Sequence, residues 1–324
     1  MKRCEFVLPR FQGDRMKTFF ISHPDCLQHR APSAHPECPE RLDAIDDQLI
    51  RSGIEPWLRH REAPLVTREQ LLRVHDAAYI DALEEGVPGP GRWATLDGGD
   101  TYVGEHSLQA AQRAAGAVVL GVDLVLEHST HTAFCSVRPP GHHAGRDYGM
   151  GFCLFNNVAV GAMHALEAHG LSRVAIVDFD VHHGNGTEEI VRDDPRLLFC
   201  SSFQHPFYPN TGADTRSDNV INLPLPRDTD GAALRAVVAE RCLPALEAFD
   251  PDLVMISAGF DGHLEDDMAN FRLVEADYEW LTRELHGIAR RHCEGRLVSV
   301  LEGGYALSAL GRSVVAHLKV LTEE

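Results

Sequence analysis

Three ligand-type side chains at two-residue spacing, Asp178, Asp180 and His182, stand in RVAIVDFDVHHGNGTEE, residues 173–189. The β-branched run at Val174, Ile176 and Val177 suits a parallel strand covered on both faces. Side chains two apart in an extended chain share a face, so Asp178, Asp180 and His182 fall on one side. Phe179, Val181 and His183 fall on the other. Two acids and an imidazole on one side of a buried strand are costly unless a cation or polar partners satisfy them. An ion-paired strand end is the plain alternative, but the spacing favours a metal clamp. Gly184 and Gly186 let the backbone turn, and Thr187 is expected to cap a helix with Glu188 and Glu189 in its first turn.

Three other strand ends carry residues of the same kind. His142 and His143 follow a strand at 132–137, Asp261 follows one at 253–258, and Tyr305 follows one at 297–301. In a doubly wound sheet all these ends open on one edge, where loops build a site. Asp180, His182 and Asp261 would give a cation two carboxylates and one imidazole and leave a position open. That set suits Zn2+, with Fe2+ or Mn2+ as alternatives, and brings the pKa of a bound water from about 15.7 towards 7. The tandem histidines supply proton transfer, with Asp178 and Asn185 as candidates to fix their tautomers. Gly303 and Gly304 read as a flexible turn, from which the Tyr305 hydroxyl could donate to an oxygen that becomes negative.

The elements that must position these groups alternate as strand and helix along the chain. They imply one parallel sheet with right-handed crossovers and helices on both faces. Helices are expected at 39–49, in two short pieces within 67–86, and at 105–126, 157–169, 187–192, 230–248 and 275–292, with another at the end. Further strands are expected at 18–22, at 197–202 and near Ile221. His23, Cys26, His29, His35 and Cys38 superficially resemble zinc ligands, but their spacing fits no finger or ribbon, and they read as ordinary loop residues. The Gly/Pro-rich loop VPGPGRWATLDGGDT lines a cleft or merely connects. No linker or repeat divides the chain, so 16–324 reads as one α/β domain, and 1–15, polar and irregular, as an N-terminal extension.

A net charge of −18 argues against a nucleic-acid partner, which needs a basic face, and suits a protein that receives cationic substrates. At 44% apolar residues a sizeable core is available. The eight cysteines are scattered, without a C-x-x-C pair, and several sit in apolar runs, as reduced thiols of a cytoplasmic protein would. No run approaches a membrane span, and no signal-peptide pattern opens the chain. A homo-oligomer is compatible with all of this.

The motifs RPPGHHA, DFDVHHGNGT, SAGFDGH and LEGGY, together with HPECPERL and LDGGDT nearer the start, resemble the signatures of the histone deacetylase and acetylpolyamine amidohydrolase family. The likeness runs from about Lys17 through nearly the whole chain. It implies an arginase-like three-layer fold with a central, mostly parallel sheet, and zinc-dependent hydrolysis of an acetylated amine to acetate and free amine. On this resemblance Asp180, His182 and Asp261 are the zinc ligands. His143 is the general base and acid, His142 orients water and stabilises charge with Asp178 behind it, and Tyr305 polarises the acetyl carbonyl. Phe152 and Tyr208 match tunnel walls, Gly151 a backbone acceptor, and Arg41 an inner-channel arginine. Asp178, Asp180, His182 and Ser201 match a structural K+ site.

Asn185 stands where the nuclear enzymes of the family have an acid, which resembles the class II enzymes and their bacterial relatives. Asp266-Asp267 departs from a frequent Asp-Pro, and Phe203 lies near a replaced strand-end histidine. Met268 aligns with a gating glutamate of the vertebrate polyamine deacetylase, and Glu265, Asp266 and Asp267 are close enough in sequence to substitute for it. The expected substrate is an acetyl-lysine side chain, with acetylpolyamines as the alternative. A dimanganese ureohydrolase would need more bridging carboxylates, and a catalytically dead binding module would not need Tyr305.

Overall fold

The computed structural model describes residues 18–127 and 132–323. The predicted extension at 1–15 lies outside them. Ten strands are present among the described residues: β1 (Thr18–Ser22), β2 (Leu58–Glu62), β3 (Ala94–Thr95), β4 (Tyr102–Val103), β5 (Thr132–Cys135), β6 (Val174–Asp178), β7 (Leu197–Gln204), β8 (Val220–Leu225), β9 (Leu253–Ala258) and β10 (Leu297–Leu301). Eight form one sheet in the order β2-β1-β5-β10-β9-β6-β7-β8, and β3 and β4 form a separate antiparallel pair. Every pairing in the large sheet is parallel, as in β6 with β7 and β9.

Strands β5, β6, β7, β9 and β10 are buried along their whole length, which requires cover on both faces. One group of helices, Glu40–Ser52, Glu275–His292 and Leu307–Thr322, packs together, and a second pairs Ser107–Glu127 with Asn157–Glu167. The hydrophobic core runs through Ile176, Ile256, Val298 and Phe134. The four strands whose ends carry the chemical residues, β5, β10, β9 and β6, are contiguous at the centre of the sheet. Residues more than 100 positions apart in the chain therefore meet at one edge.

Four local expectations change. β2, with only Leu58 buried, carries too little alternation to be read in advance. The helix expected at 230–248 is interrupted: Gly231–Val237 passes into a π-turn at Val238–Cys242 before Leu243–Phe249. Pro244 lacks the N–H and crowds the preceding carbonyls, so the ladder widens there. The helix after β6 begins at Asn185, not at Thr187, with Gly184 as N-cap. Thr187 does not cap it, because it lies inside the helix as its third residue and its hydroxyl oxygen accepts from Asn156 Nδ2 at 3.1 Å instead of from a helix N–H. The Gly303-Gly304 turn is not flexible. Arg41 Nε donates to the Gly304 carbonyl at 2.6 Å and Arg41 Nη2 to that of Glu302 at 2.5 Å, while Gly303 N–H donates to Asp180 Oδ2 at 2.8 Å.

Arg41 is itself held from below. It shares the buried Glu37 carboxylate with Arg138, whose Nε and Nη2 donate to it at 2.5 and 2.6 Å. Burial works to raise the Glu37 pKa, but Arg138, His29 and Arg41 hold it well below the usual carboxylate range. Glu37→Gln should leave two buried guanidiniums short of a counter-charge. Removing one partner of such a network costs about 3–5 kcal/mol. The thermal midpoint at fixed scan rate is expected to fall by on the order of 10 °C, and an unchanged midpoint would show the network to be dispensable.

Candidate active site

β6 ends at Asp178 and the chain bends through Asp180–His182 rather than running on as a strand, with Asp178, Asp180 and His182 linked by carboxylate-to-backbone bonds at two-residue steps. Asp178 Oδ1 accepts from Asp180 N–H at 3.0 Å, and Asp180 Oδ1 accepts from His182 N–H at 2.9 Å. On the opposite side Phe179 packs into the core against Phe260 and Tyr278. His183 bonds Glu188 and Thr211, both at 2.8 Å.

Asp261, from the end of β9, completes a cluster with Asp180 and His182. All three are buried, with one ligand atom of each within 4.8 Å of the others. His182 Nδ1 lies 3.0 Å from Asp180 Oδ1 and 3.1 Å from Asp261 Oδ2. Asp261 Oδ2 is buried without a partner in hydrogen-bonding geometry. Burial works to lower the pKa of the His182 ring, yet the Asp261 and Asp180 carboxylates hold it at about 10. This donor set therefore demands a positive charge at its centre, which fits a divalent cation. Gly303 closes over it, and a Cβ there would stand 2.0 Å from Asp261 Oδ2.

The two histidines after β5 differ in environment. His142 Nδ1 bonds Asp178 Oδ2 at 2.9 Å. Burial opposes the charged ring, but Asp178 and Asp180 hold its pKa at about 10. His143 Nδ1 bonds Asn185 Oδ1 at 2.7 Å, and burial together with the cationic His142 and His182 pushes its pKa well below the ordinary value. Asn185 Nδ2 donates to the Tyr148 hydroxyl and to Met150 Sδ, which assigns its oxygen to His143. His143 therefore carries its proton on Nδ1 and an open lone pair on Nε2.

These groups face a cavity of about 240 Å³ lined by His142, His143, His182, Gly151, Phe152, Phe207, Tyr208, Met268, Gly303 and Tyr305, with Asp100 and Pro140. Phe152 stands edge-on to Tyr305 with centroids 5.8 Å apart, and Tyr208 edge-on to His143 at 5.3 Å. Gly151 has φ +54°, and a Cβ there would lie 2.3 Å from the His143 ring, so only glycine fits. Burial, aided by Asp261 and Asp180 and opposed by Arg41, raises the Tyr305 pKa well above 10 and keeps it a donor. Arg41 lies over the Tyr305 ring, 4.9 Å from its centroid. Ser201 pairs with Asp178 in the β6–β7 register, and its buried hydroxyl has no hydrogen-bond partner among the described residues.

Sequence reasoning overlooked several contributors. Phe207 stacks on His182 at 5.6 Å. The loop histidines of the first segment hold no metal cluster among the described residues but do support the cavity. His35 packs edge-on to Phe152 at 4.7 Å and bonds the Asp100 carbonyl. Glu302, visible in LEGGY but assigned nothing, accepts from the N–H groups of Gly141 and His142 at 2.6 and 3.1 Å. Of the acidic run near the mouth, two members are engaged elsewhere, and Asp267 is exposed next to Met268. Glu265 pairs with Arg312 and Asp266 turns inward, while Met268 occupies the wall.

Residues 35–321 match the histone deacetylase domain. Type-2 histone deacetylase 2 of Dictyostelium discoideum is 38% identical over 359 residues, covering 96% of this chain and only 21% of that protein. An uncharacterized protein of Synechocystis sp. is 41% identical, covering 91% of this chain and 96% of its own length. Polyamine deacetylase HDAC10 of Mus musculus is 35% identical over 94% of this chain and 48% of its own length. The crystal structure of the HDA15 HD domain superposes with a TM-score of 0.86 at 33% identity, over 94% of this chain and 90% of that one. Fold, motifs and site geometry agree, and the chain belongs to the histone deacetylase family.

Proposed function

We propose that the chain is a zinc-dependent deacetylase acting on acetylated lysine side chains. The observation that carries this is the apolar cavity between Phe152 and Tyr208, which leads to Asp180, His182 and Asp261 beside an unprotonated His143 Nε2. A divalent cation held by those three residues would polarise the acetyl carbonyl and lower the pKa of water. His143 Nε2 accepts the proton of the attacking water, with Asn185 holding the tautomer that leaves this nitrogen free. The charged His142, braced by Asp178, and the Tyr305 hydroxyl stabilise the oxygen as it gains negative charge. His143 then returns the proton to the amine as the C–N bond breaks. A K+ beside Asp178, Asp180, His182 and Ser201 is supported by the orphaned Ser201 hydroxyl. A cytoplasmic setting is supported by the seven free cysteines among the described residues. No helix among the described residues is long and apolar enough to cross a membrane.

The acetyl-lysine reading follows from the missing gate, since Met268 supplies no carboxylate to a second amine. Zinc-loaded protein should hydrolyse an acetyl-lysine peptide with higher kcat/KM than N-acetylputrescine or acetylspermidine. A preference for the polyamines of tenfold or more would reverse the assignment. A second measurement addresses His143. Asn185→Asp places a carboxylate on its Nδ1, which favours the charged ring. Because the base must be neutral to act, the acidic limb of the kcat/KM profile should move to higher pH by about one unit. An unmoved limb would separate His143 from that titration.

A further inference from the structure

Asp266 lies between the Asp261 strand end and the cavity-wall residue Met268. Its side chain is buried, and three backbone N–H groups converge on it. Oδ2 accepts from Tyr305 at 2.6 Å and Ala306 at 2.9 Å, and Oδ1 accepts from Met268 at 3.0 Å. Helix Leu307–Thr322 begins only after Ala306, so the carboxylate does not occupy the N-cap, whose partners are the N–H groups of the second and third helical residues. It grips the turn that carries Tyr305. From the other side Arg41 holds the carbonyls of Glu302 and Gly304. The Gly304–Tyr305 peptide group is therefore held at both its carbonyl and its N–H, and the Tyr305–Ala306 group at its N–H.

We propose that Asp266 is a positioning residue for Tyr305, setting where its hydroxyl stands over the reacting carbonyl. This rests on the reading of Tyr305 as the hydroxyl donor. A carboxylate that accepts three N–H bonds is a strong and directional anchor, and an asparagine in its place would offer only one oxygen to groups that now share two. A displacement of about 1 Å at a reacting group costs on the order of a hundredfold in rate.

The test compares Asp266→Asn, Tyr305→Phe and the double variant on an acetyl-lysine peptide with zinc-loaded protein. Asp266→Asn should lower kcat about 10–100-fold with KM within twofold. In the Tyr305→Phe background the same change should alter the residual rate by less than about twofold, because the group it positions is gone. Equal losses in both backgrounds, or an unchanged kcat, would overturn the proposal. If Tyr305→Phe alone kept full turnover, the reading of Tyr305 would fail instead. Hydrogen exchange on the unaltered protein tests the clamp without any variant. The amides of Tyr305 and Ala306 should be protected by a factor of about 100 or more, and exchange at the rate of free amides would sink the idea.

Discussion

Tyr305→Phe is expected to lower kcat on an acetyl-lysine peptide by about 100–1000-fold while metal content and thermal midpoint stay at their starting values. The phenyl ring keeps the contacts that shape the cavity, including the edge of Phe152 and the Arg41 guanidinium over its face. Only the donor is lost, and it serves an oxygen that becomes negative during the reaction. The interaction therefore shows in kcat more than in KM. Burial and the nearby Asp261 and Asp180 carboxylates keep the phenol protonated, so the loss should be nearly constant across the working pH range. A variant that retained a third or more of the turnover would show that the charged His142 stabilises the oxygen without help.

That prediction depends on residues whose convergence the local pattern could suggest but not specify. The period-two alternation at 178–183 set Asp178, Asp180 and His182 apart from Phe179, Val181 and His183, because pleating is a local property of the chain. Strand order is not local. That β10 and β9 lie between β5 and β6 follows from how the crossovers pack, and only that order brings Tyr305 and Asp261 to the histidines. The direction of a side chain in an irregular turn is harder still. Asp266 and Glu265 read alike as mouth acids, yet one accepts the backbone of Tyr305 and the other pairs with Arg312. The supposed flexibility of Gly303-Gly304 failed for a related reason. Glycine permits close approach as well as motion, and here it admits the Asp180 and Asp261 carboxylates.

The largest loss of metal should come from Asp261→Asn. The substitution keeps the shape and the Oδ1 contact that accepts Val181 N–H at 3.0 Å, so the strand end should hold. It removes the charge on the one carboxylate oxygen of the cluster that no hydrogen bond satisfies. Changing groups behind the ligands typically costs metal affinity 10–100-fold, so losing a ligand charge should cost more than about 100-fold. Titration of metal-free protein with Zn2+ and a competing chelator reads this directly, apart from turnover. The charge balance makes a second, opposite expectation. With Asp261 neutral, the His182 ring loses the largest support for its raised pKa and should titrate closer to its ordinary value in the metal-free protein. An NMR titration of that ring that stayed near 10 would show Asp180 to be the dominant partner. Zn2+ affinity within tenfold of the starting protein would remove Asp261 from the ligand set.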